Sequence, residues 1–353
     1  MKGVILHGGT GTRLRPLTYS DVKQLLTIAG KPTSEYGLEQ MRQIGIKDLS
    51  IVIGAVGGEE VKKYYGNGDK WECKIQYVYQ EKPLGIANAI SLCRDITGPD
   101  DFLVYLGDNV IQDSLGDAYE KFQSKKYDAF LILVPVKDPS KYGVAEIGND
   151  LVTGLKEKPR DPTSNLAVTG IYFLRETVYD YIDKLKPSAR GEYEIMEALQ
   201  AMIEDGKKIG YKTVGGWFKD TGTVEDFIEC NMLVLESIKG NSSSDRTNVK
   251  GRVNFGKDVI IDQETKVLGP CYIGSNVQIK NSFIGPYTSI GDGCIIQGIE
   301  IENSIIMENC KIDFEDGRII YESIIGPKCN IKSGNSKTRR TKLVLGRDSK
   351  VEL

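Results

Sequence analysis

The sequence predicts an α/β domain with a mostly parallel sheet, followed in the same chain by a parallel β-helix. In the first two thirds, short apolar runs alternate with amphipathic stretches, which is typical of right-handed βαβ crossovers. After residue 250, aliphatic residues recur at every sixth position, and one such hexad makes one face of a β-helix coil. The small, polar segment GNSSSD (240–245) lies where the pattern changes and is typical of a linker. We therefore expect domains at 1–239 and 251–353, joined by a linker at 240–250.

Strands alternate with helices along the first domain, and this order indicates where a site would lie. Ligands of a parallel sheet bind beyond the carboxyl ends of the strands, so the loops after the strands are the candidate positions. The predicted strands are KGVIL (2–6), LSIVIG (49–54), KIQYVYQ (74–80), DFLVYLGD (101–108) and DAFLILVPV (128–136). The predicted helices are SEYGLEQMRQIGI (34–46), GEEVKKYYG (58–66), LGIANAISLCRDI (84–96) and SLGDAYEKFQSKK (114–126).

Valine and isoleucine carry the hexad pattern of the last third, and glycine often follows them. An ordinary antiparallel β domain is the alternative, but a period of two does not return a glycine after every sixth residue. The segments EIENS and FEDGR interrupt the spacing and predict turns or bulges. The dipeptide Ile-Gly occurs at 273–274, 284–285, 290–291 and 325–326. The six-residue spacing relates Val267, Ile273 and Ile279, then Ile284, Ile290 and Ile296, then Ile306 and Ile312, then Ile325 and Ile331.

Composition and charge exclude several classes of protein. The content of 40% hydrophobic and 27% charged residues is that of a soluble globular protein. The net charge is −3 and the basic residues are dispersed, which argues against a nucleic-acid partner. We expect no membrane span, because no apolar run is long enough, and no signal peptide, because the chain begins on a strand-like run. The seven cysteines are widely spaced without a CxxC pair, which favours reduced thiols in a cytoplasmic protein.

A glycine-rich loop follows the first predicted strand, in the stretch GVILHGGTGTRLRPLT (3–18). Gly8, Gly9 and Gly11 would let the backbone approach an anion and direct N–H groups toward it. The loop is not a dinucleotide-binding fingerprint, because Leu14 stands where that motif has its third glycine. It is not a Walker A loop either, since the Gly-Lys-Ser/Thr ending is absent.

Basic residues lie close to the glycine loop in sequence. Arg13 follows the glycines directly, and Lys23 and Lys31 come after it. Several cations near one loop fit a substrate that carries several phosphates. The loop taken alone is equally compatible with a glycine-rich turn and solvated cations.

The residues of this loop resemble a known signature. GGTGTRLRPLTYSDVKQLLTIAGKP resembles GGxGTRLxPLTxxxPKxLxPVxxKP of the sugar-phosphate nucleotidyltransferases. The whole chain is similar to the long-form glucose-1-phosphate thymidylyltransferases of that family, which join a Rossmann-like nucleotidyltransferase domain to a left-handed β-helix. The resemblance continues through QEKPLGIANA (80–89), LGDN (106–109), YGVAE (142–146), EKP (157–159), TGIYF (169–173), ARGEYEI (189–195) and WFKDTGT (217–223).

The resemblance implies transfer of dTMP from dTTP to glucose-1-phosphate, giving dTDP-glucose and pyrophosphate. A sugar-phosphate oxygen would attack the α-phosphorus in line, and catalysis would rest on positioning and charge neutralisation. A phosphate monoester with a second pKa of about 6 is already ionised near neutral pH, so no general base is needed. A chain with a single histidine is compatible with this chemistry.

The resemblance also implies Mg²⁺, held by Asp108 and Asp220. Mg²⁺ takes oxygen ligands, usually one or two carboxylates together with substrate phosphates. Asp108 ends an apolar strand in LGDN, and Asp220 follows an aromatic, strand-like run in WFKDTGT. An aspartate at a strand end is also common as a turn or helix cap, and for either residue alone that interpretation stays open.

The resemblance assigns the remaining site residues by motif. Arg13 and Lys23 would hold the triphosphate, Lys158 the sugar phosphate, and Glu157 the sugar hydroxyls. Arg190 would also reach the sugar phosphate, or else be a surface arginine beside acidic neighbours. The catalytic set is Arg13, Lys23, Asp108, Lys158 and Asp220. The nucleotide set is Leu6, Gly8, Gly9, Gly11, Thr12, Arg13, Gln80, Pro83, Gly85 and Asp108. The sugar-phosphate set is Asn109, Gly143, Glu157, Lys158, Thr169, Gly170 and Arg190.

Three residues depart from the family pattern. His7 stands where the family usually has a small residue, and it either contacts the base or packs behind it. Val22 replaces the proline before Lys23, which removes a constraint on φ and leaves the position of that lysine less certain. Thr27 replaces a second proline, with little effect expected.

Rival functions differ in substrate or in class. A UTP-dependent enzyme, or one that takes another sugar-1-phosphate, is the nearest alternative. A non-catalytic regulatory subunit would be expected to lack some of the catalytic set, which this chain retains in full. Acyl transfer by the β-helix is disfavoured, because no histidine follows His7 to act as a general base. We expect the β-helix to support a homo-oligomer.

Overall fold

A computed structural model describes residues 1–9, 11–124, 126–241 and 248–353. Of the predicted linker at 240–250, residues 242–247 lie outside the described residues. The chain forms two compact units, Met1–Gly9 with Ser34–Asp220 and Thr10–Thr33 with Thr221–Leu353. The predicted domain boundaries follow the change of secondary structure and stay a prediction, since this grouping by contacts places residues 10–33 with the β-helix.

The first unit is built around a mixed sheet whose centre is parallel. Lys2–Leu6 lies between Asp48–Gly54 and Phe102–Leu106 and is parallel to both, and Lys74–Gln80 extends the parallel part beyond Asp48–Gly54. The strands of this unit are Lys2–Leu6, Asp48–Gly54, Lys74–Gln80, Phe102–Leu106, Asn109–Ile111, Ala129–Pro135, Gly143–Gly148, Leu151–Glu157, Leu166–Leu174, Ile209–Thr213 and Phe218–Asp220. The predicted strands and the mostly parallel sheet are confirmed.

Antiparallel strands complete this sheet on one side. Leu166–Leu174 pairs antiparallel with Phe102–Leu106 and with the predicted strand Ala129–Pro135. The central strands Lys2–Leu6 and Phe102–Leu106 are mostly apolar because both of their faces are buried; Val4, Ile5 and Val104 are fully inaccessible.

Helices cover the sheet of the first unit, and the four predicted ones are present. The predicted helix at 84–96 forms two pieces, Ile86–Ser91 and Arg94–Thr97. The α-helices are Thr33–Gln43, Gly58–Tyr65, Ile86–Ser91, Arg94–Thr97, Gly116–Gln123, Tyr179–Ile182 and Ile195–Glu204. Short 3-10 helices are Asp69–Trp71, Pro139–Lys141 and Glu176–Val178.

The second unit begins with residues 11–33, called here the signature segment. It consists of 3-10 helices at Thr12–Leu14, Leu17–Tyr19 and Lys23–Leu25, followed by the antiparallel pair Thr27–Ile28 and Lys31–Pro32. The helix Val224–Ser237 belongs to the same unit and begins with a capping box. In that box the Thr223 hydroxyl accepts from the Asp226 N–H, and the Asp226 carboxylate accepts from the Thr223 N–H.

The last third is a coil of short strands that pair in parallel, as predicted for a left-handed β-helix. The hexad residues stack from one coil to the next; Ile273 pairs with Ile290, Ile290 with Ile306, and Ile306 with Ile325. The strands are Val249–Lys250, Val253–Phe255, Ile260–Ile261, Lys266–Leu268, Cys271–Ile273, Gln278–Lys280, Phe283–Ile284, Thr288–Ile290, Ile295–Glu302, Ile305–Ile306, Lys311–Tyr321, Ile324–Ile325, Asn330–Lys332, Arg340–Thr341, Val344–Leu345 and Lys350–Glu352.

The glycines after the hexad residues allow the coils to approach each other. A Cβ on Gly291 would lie 2.6 Å from the backbone N of Glu308, and one on Gly326 would lie 2.7 Å from the backbone O of Leu345. The predicted interruption at FEDGR is a bulge, because the register moves from Gln297–Asp313 to Ile299–Arg318.

Two further expectations concern thiols and membranes. Each of the seven cysteines is a free, buried thiol, as predicted. Within the part of the chain that the structure describes, no helix has the length and apolar character to cross a membrane.

Candidate active site

A pocket of about 260 Å³ lies on the first unit where the parallel strands end at their carboxyl edge. Strands Lys2–Leu6, Lys74–Gln80 and Phe102–Leu106 run into it, which is where a parallel sheet places a ligand. The predicted site residues in its wall are Leu6, Gly8, Gly9, Gln80, Pro83, Gly85, Asp108, Glu157, Lys158 and Arg190. The pocket thus joins residues assigned to the nucleotide with residues assigned to the sugar phosphate.

One wall of the pocket is formed by the glycine loop and by Gln80. A Cβ on Gly8 or Gly9 would meet no described atom within 4 Å, so this part of the backbone is open to a ligand. The amide of Gln80 donates to Asn88 Oδ1 at 2.8 Å, which fixes its orientation. Gly85 has φ +101°, and a Cβ there would lie 2.6 Å from the backbone O of Tyr193, so only glycine fits.

Asp108 and Asp220 are brought near each other by a short strand pair. Strands Asn109–Ile111 and Phe218–Asp220 are antiparallel, and Asp220 pairs with Asn109, the residue after Asp108. Among the described residues, no group of three or more histidine, cysteine or acidic side chains is arranged to hold a metal ion. Two carboxylates brought together by this strand pair are a donor set that fits Mg²⁺, which completes its shell with phosphate and water.

Glu157, Lys158 and Arg190 form a charged wall. Arg190 Nη2 lies 3.0 Å from Glu157 Oε1 and 2.7 Å from Glu194 Oε1, and Lys158 Nζ lies 3.8 Å from Glu157 Oε1. Burial raises the pKa of Glu157, and the hydrogen bond from Arg190 opposes that shift. Lys158 has φ +42°, a strained conformation for a residue with a side chain. Arg190 is therefore both paired with acids and exposed to the pocket.

Four residues assigned to the sugar lie outside the pocket wall. Asn109 and Thr169 are buried and hydrogen-bonded; Asn109 Nδ2 donates to the Thr169 carbonyl, and the Thr169 hydroxyl donates to the Ile132 carbonyl at 2.9 Å. A Cβ on Gly170 would lie 2.7 Å from Asn109 Nδ2. A Cβ on Gly143 would meet the Met196 methyl at 2.8 Å, so packing alone requires a glycine there.

The remaining site residues belong to the signature segment of the second unit. Thr12 and Arg13 are exposed, and a Cβ on Gly222 would lie 3.0 Å from Arg13 Nη2. Lys23 is 8% exposed and begins its 3-10 helix. Val22 has φ −77°, close to the value that proline would impose. The backbone before Lys23 therefore has the conformation expected for the proline of the family pattern.

Gly11 shapes the start of the signature segment. It has φ +61°, and a Cβ would lie 2.8 Å from Thr18 Cγ2 and 3.4 Å from Lys23 Cβ. The Thr18 hydroxyl donates to the Gly11 carbonyl at 2.6 Å. The predicted glycine is needed here for close packing as well as for its backbone conformation.

His7 packs behind the site. It is 7% exposed, does not line the pocket, and meets Tyr65 edge to face at 6.0 Å between ring centroids. Neither ring nitrogen has a hydrogen-bond partner among the described residues. Burial lowers the pKa of His7 to about 3, while Asp108 acts in the opposite direction. The ring is therefore neutral at physiological pH and occupies space.

Sequence reasoning missed part of the pocket wall. Glu192 and Glu194 lie within the quoted motif ARGEYEI, which was the signal that could have found them. The other missed residues are apolar and carry no local signal, because only the fold brings them to the wall. They are Val52, Ile86, Ala89 and Leu106.

The comparisons with known proteins agree with this fold and site. Residues 2–237 match the family described as nucleotidyl transferase, and residues 255–352 match the GMPPB C-terminal domain. The chain therefore belongs to the nucleotidyl transferase family and is an enzyme of its sugar-1-phosphate nucleotidyltransferase class.

Several relatives and solved structures of this family are similar to the chain. The chain is 37% identical to glucose-1-phosphate thymidylyltransferase of Streptomyces griseus, over 100% of this chain and 99% of the relative. It is 40% identical to the low-salt glycan biosynthesis nucleotidyltransferase of Haloferax volcanii, over 100% of both. A UDP-glucose pyrophosphorylase complexed with UDP-glucose is 26% identical with a TM-score of 0.61, covering 67% of this chain and 98% of that one.

Proposed function

We propose that this enzyme transfers dTMP from dTTP to glucose-1-phosphate, releasing pyrophosphate and dTDP-glucose. The observation that carries the proposal is that one pocket has Gln80, Asp108 and Lys158 in its wall, residues assigned to the nucleotide, the metal and the sugar phosphate. Full-length relatives named glucose-1-phosphate thymidylyltransferase support this choice of substrates.

The bond changes are those of an in-line displacement. A phosphate oxygen of the sugar-1-phosphate forms a bond to the α-phosphorus, and the bond to the pyrophosphate leaving group breaks. Lys158 and Arg190 would orient the sugar phosphate, and Glu157 would accept hydrogen bonds from sugar hydroxyls. The nucleophile is already anionic near neutral pH, and His7, with its pKa lowered to about 3 by burial, is not needed as a base.

The triphosphate would be held by the glycine loop and by the signature segment. Gly8 and Gly9 offer an open backbone, and the resemblance assigns Arg13 and Lys23 to the phosphates. These cations would stabilise the negative charge that develops as pyrophosphate departs.

A divalent metal ion is general to this family, and we propose Mg²⁺ held by Asp108 and Asp220. Bound Mg²⁺ would supply neutralisation of phosphate charge. Asp220 ends one strand and Asp108 directly precedes the strand that pairs with it, so the two carboxylates would fix the ion and, through it, the orientation of the nucleotide.

The test is a panel of nucleoside triphosphates. Release of pyrophosphate is measured with dTTP, UTP, ATP and CTP against glucose-1-phosphate, and then with other sugar-1-phosphates against the preferred nucleotide. We expect the highest kcat/KM for dTTP with glucose-1-phosphate. A higher value for UTP would support the alternative suggested by the UDP-glucose pyrophosphorylase fold, and no release with any pair would refute the proposal.

We propose that the β-helix is a structural domain without an activity of its own. Some relatives at 33% identity are named bifunctional, and this chain spans 79% of one of them. This chain has no histidine after His7, so we propose a single activity, in a cytoplasmic homo-oligomer. A residual acetyltransferase activity of the purified protein would contradict it.

A further inference from the structure

The signature segment contacts the β-helix within the second unit closely at two glycines. A Cβ on Gly30 would lie 2.1 Å from the ring of Tyr272, so the hairpin Thr27–Pro32 rests directly on that ring. A Cβ on Gly346, in the last coil, would lie 2.8 Å from the Pro16 carbonyl oxygen. Each close approach requires glycine on one side.

A buried asparagine links the same hairpin to the coils. Asn231, fully buried on helix Val224–Ser237, accepts from the Ala29 N–H at 3.0 Å and from the Ser289 hydroxyl at 2.6 Å. Its amide donates to the Tyr287 carbonyl at 3.0 Å. One side chain therefore holds together the hairpin, the helix and two coil residues, Tyr287 and Ser289.

A charged contact anchors the segment close to Lys23. Arg347 of the last coil contacts Asp21 through two nitrogens; Nε lies 2.9 Å from Oδ1 and 3.2 Å from Oδ2, and Nη2 also binds Oδ1. Asp21 accepts from Ser20 Oγ at 3.0 Å, and Glu308 Oε1 lies 4.0 Å from Arg347. The Asp21 side chain is 13% exposed, so this pair is shielded compared with a surface ion pair.

Fixing Asp21 restricts the rest of the segment. Lys23 is two residues further on, and its Cβ lies against Gly11, whose carbonyl is bonded to Thr18. The stretch from Gly11 to Lys23 is therefore a closed loop of short helices that the Arg347 contact holds from one side.

We propose that Arg347 is a positioning residue for the nucleoside triphosphate, acting through Asp21 on the segment that carries Arg13 and Lys23. This inference rests on the proposed role of those two cations. It gives the last coil of the β-helix a part in the handling of one substrate. Loss of the contact weakens the affinity for the triphosphate and leaves the binding of the sugar phosphate unchanged, since the residues assigned to the sugar belong to the first unit.

The experiment compares Arg347→Ala, Arg347→Lys and the charge exchange Asp21→Arg with Arg347→Asp. Arg252→Ala is the matched control, because Arg252 forms a 2.6 Å ion pair with Glu236 in the same unit and neither residue belongs to the signature segment. The readouts are KM for each substrate, kcat, and the Kd of the triphosphate by calorimetry without sugar phosphate.

We expect Arg347→Ala to raise the KM and Kd of the triphosphate about tenfold, with the KM of the sugar phosphate within about twofold of wild type. Arg347→Lys keeps the charge and should lose less, and the charge exchange should recover part of the loss. Arg252→Ala should match wild type in all four quantities.

Three results would overturn the inference: an unchanged triphosphate KM in Arg347→Ala, an equal rise for both substrates, or the same rise in Arg252→Ala. The wild-type enzyme is first assayed with the nucleotide panel, and its preferred triphosphate is used throughout. A wild type that turns over no triphosphate counts against the proposed function, whereas a wild type that is active and an Arg347 variant that matches it count against the positioning role alone.

Discussion

At the scale of single residues, His7 shows how a departure from a family pattern is accommodated. The ring packs on Tyr65 and is not part of the pocket wall, so the larger side chain is accommodated without lining the site. Burial lowers the pKa of His7, because a desolvated imidazole resists protonation.

The buried imidazole makes stability depend on pH. The folded pKa of His7 is about 3 and the unfolded value 6.5, so below pH 6.5 the unfolded state binds more protons and stability falls as pH falls. Between pH 7.5 and 5.5, wild type should lose about 1.4 kcal/mol more than His7→Phe. Urea unfolding followed by tryptophan fluorescence measures this, since Trp71 and Trp217 both lie in the first unit. Equal losses in both proteins would contradict the neutral, buried ring.

The carboxylate and the lysine of the pocket should be needed for turnover but not for folding. Asp108→Asn removes the carboxylate charge that is proposed to bind the metal, and Lys158→Ala removes the ammonium group that is proposed to bind the sugar phosphate. Each should lower kcat by about 10²–10³-fold. Asp150→Asn, in an exposed turn where the left-handed conformation suits asparagine, is the control and should keep full activity. Full activity in both pocket variants would disprove the assignment of the site.

At the scale of elements, the sequence predicts what local pattern determines. Apolar runs predict the parallel strands because burial on both faces demands them, and the hexad predicts the coil because each inward position repeats. The antiparallel strand Leu166–Leu174 was not predicted as a strand, although its residues include the quoted motif TGIYF. The pairing of that strand depends on strands far away in the chain, and no local period encodes it.

The distance between successive coils of the β-helix should be sensitive to one methyl group added at a glycine. Gly291→Ala places a Cβ 2.6 Å from backbone of the next coil, which must move, so we expect a loss of about 1–3 kcal/mol in stability. Gly116→Ala is the comparison, because its Cβ would lie at an ordinary 3.5 Å from Ser114 Oγ at the start of a helix. Thermal unfolding by circular dichroism should show a lower Tm for the first variant and no decrease for the second. A Gly291→Ala protein as stable as wild type would show that the coils can separate.

At the scale of the whole molecule, the sequence motifs predicted most of the residues that line the pocket, but not the contacts between distant segments. Ten of the residues named from these motifs line the pocket, at the carboxyl edge of the parallel strands. The grouping of the signature segment with the β-helix could not be predicted, since Asp21 and Arg347 are 326 residues apart and neither belongs to a periodic pattern. Such a contact follows from the completed fold alone.

The buried cysteines of this chain can serve as probes of its unfolding. All seven cysteines are buried in the folded protein; Cys73 and Cys93 lie in the first unit, and the other five lie in the second. A thiol reagent therefore modifies a cysteine only after the structure around it opens, and mass spectrometry counts the labels on each molecule. If the units open separately in denaturant, molecules with two or five labels should accumulate before those with seven. Modification of the folded protein at the rate of a free thiol would contradict the burial. If the native cysteines do not react in the folded protein, one cysteine introduced at the surface could carry a probe without interference.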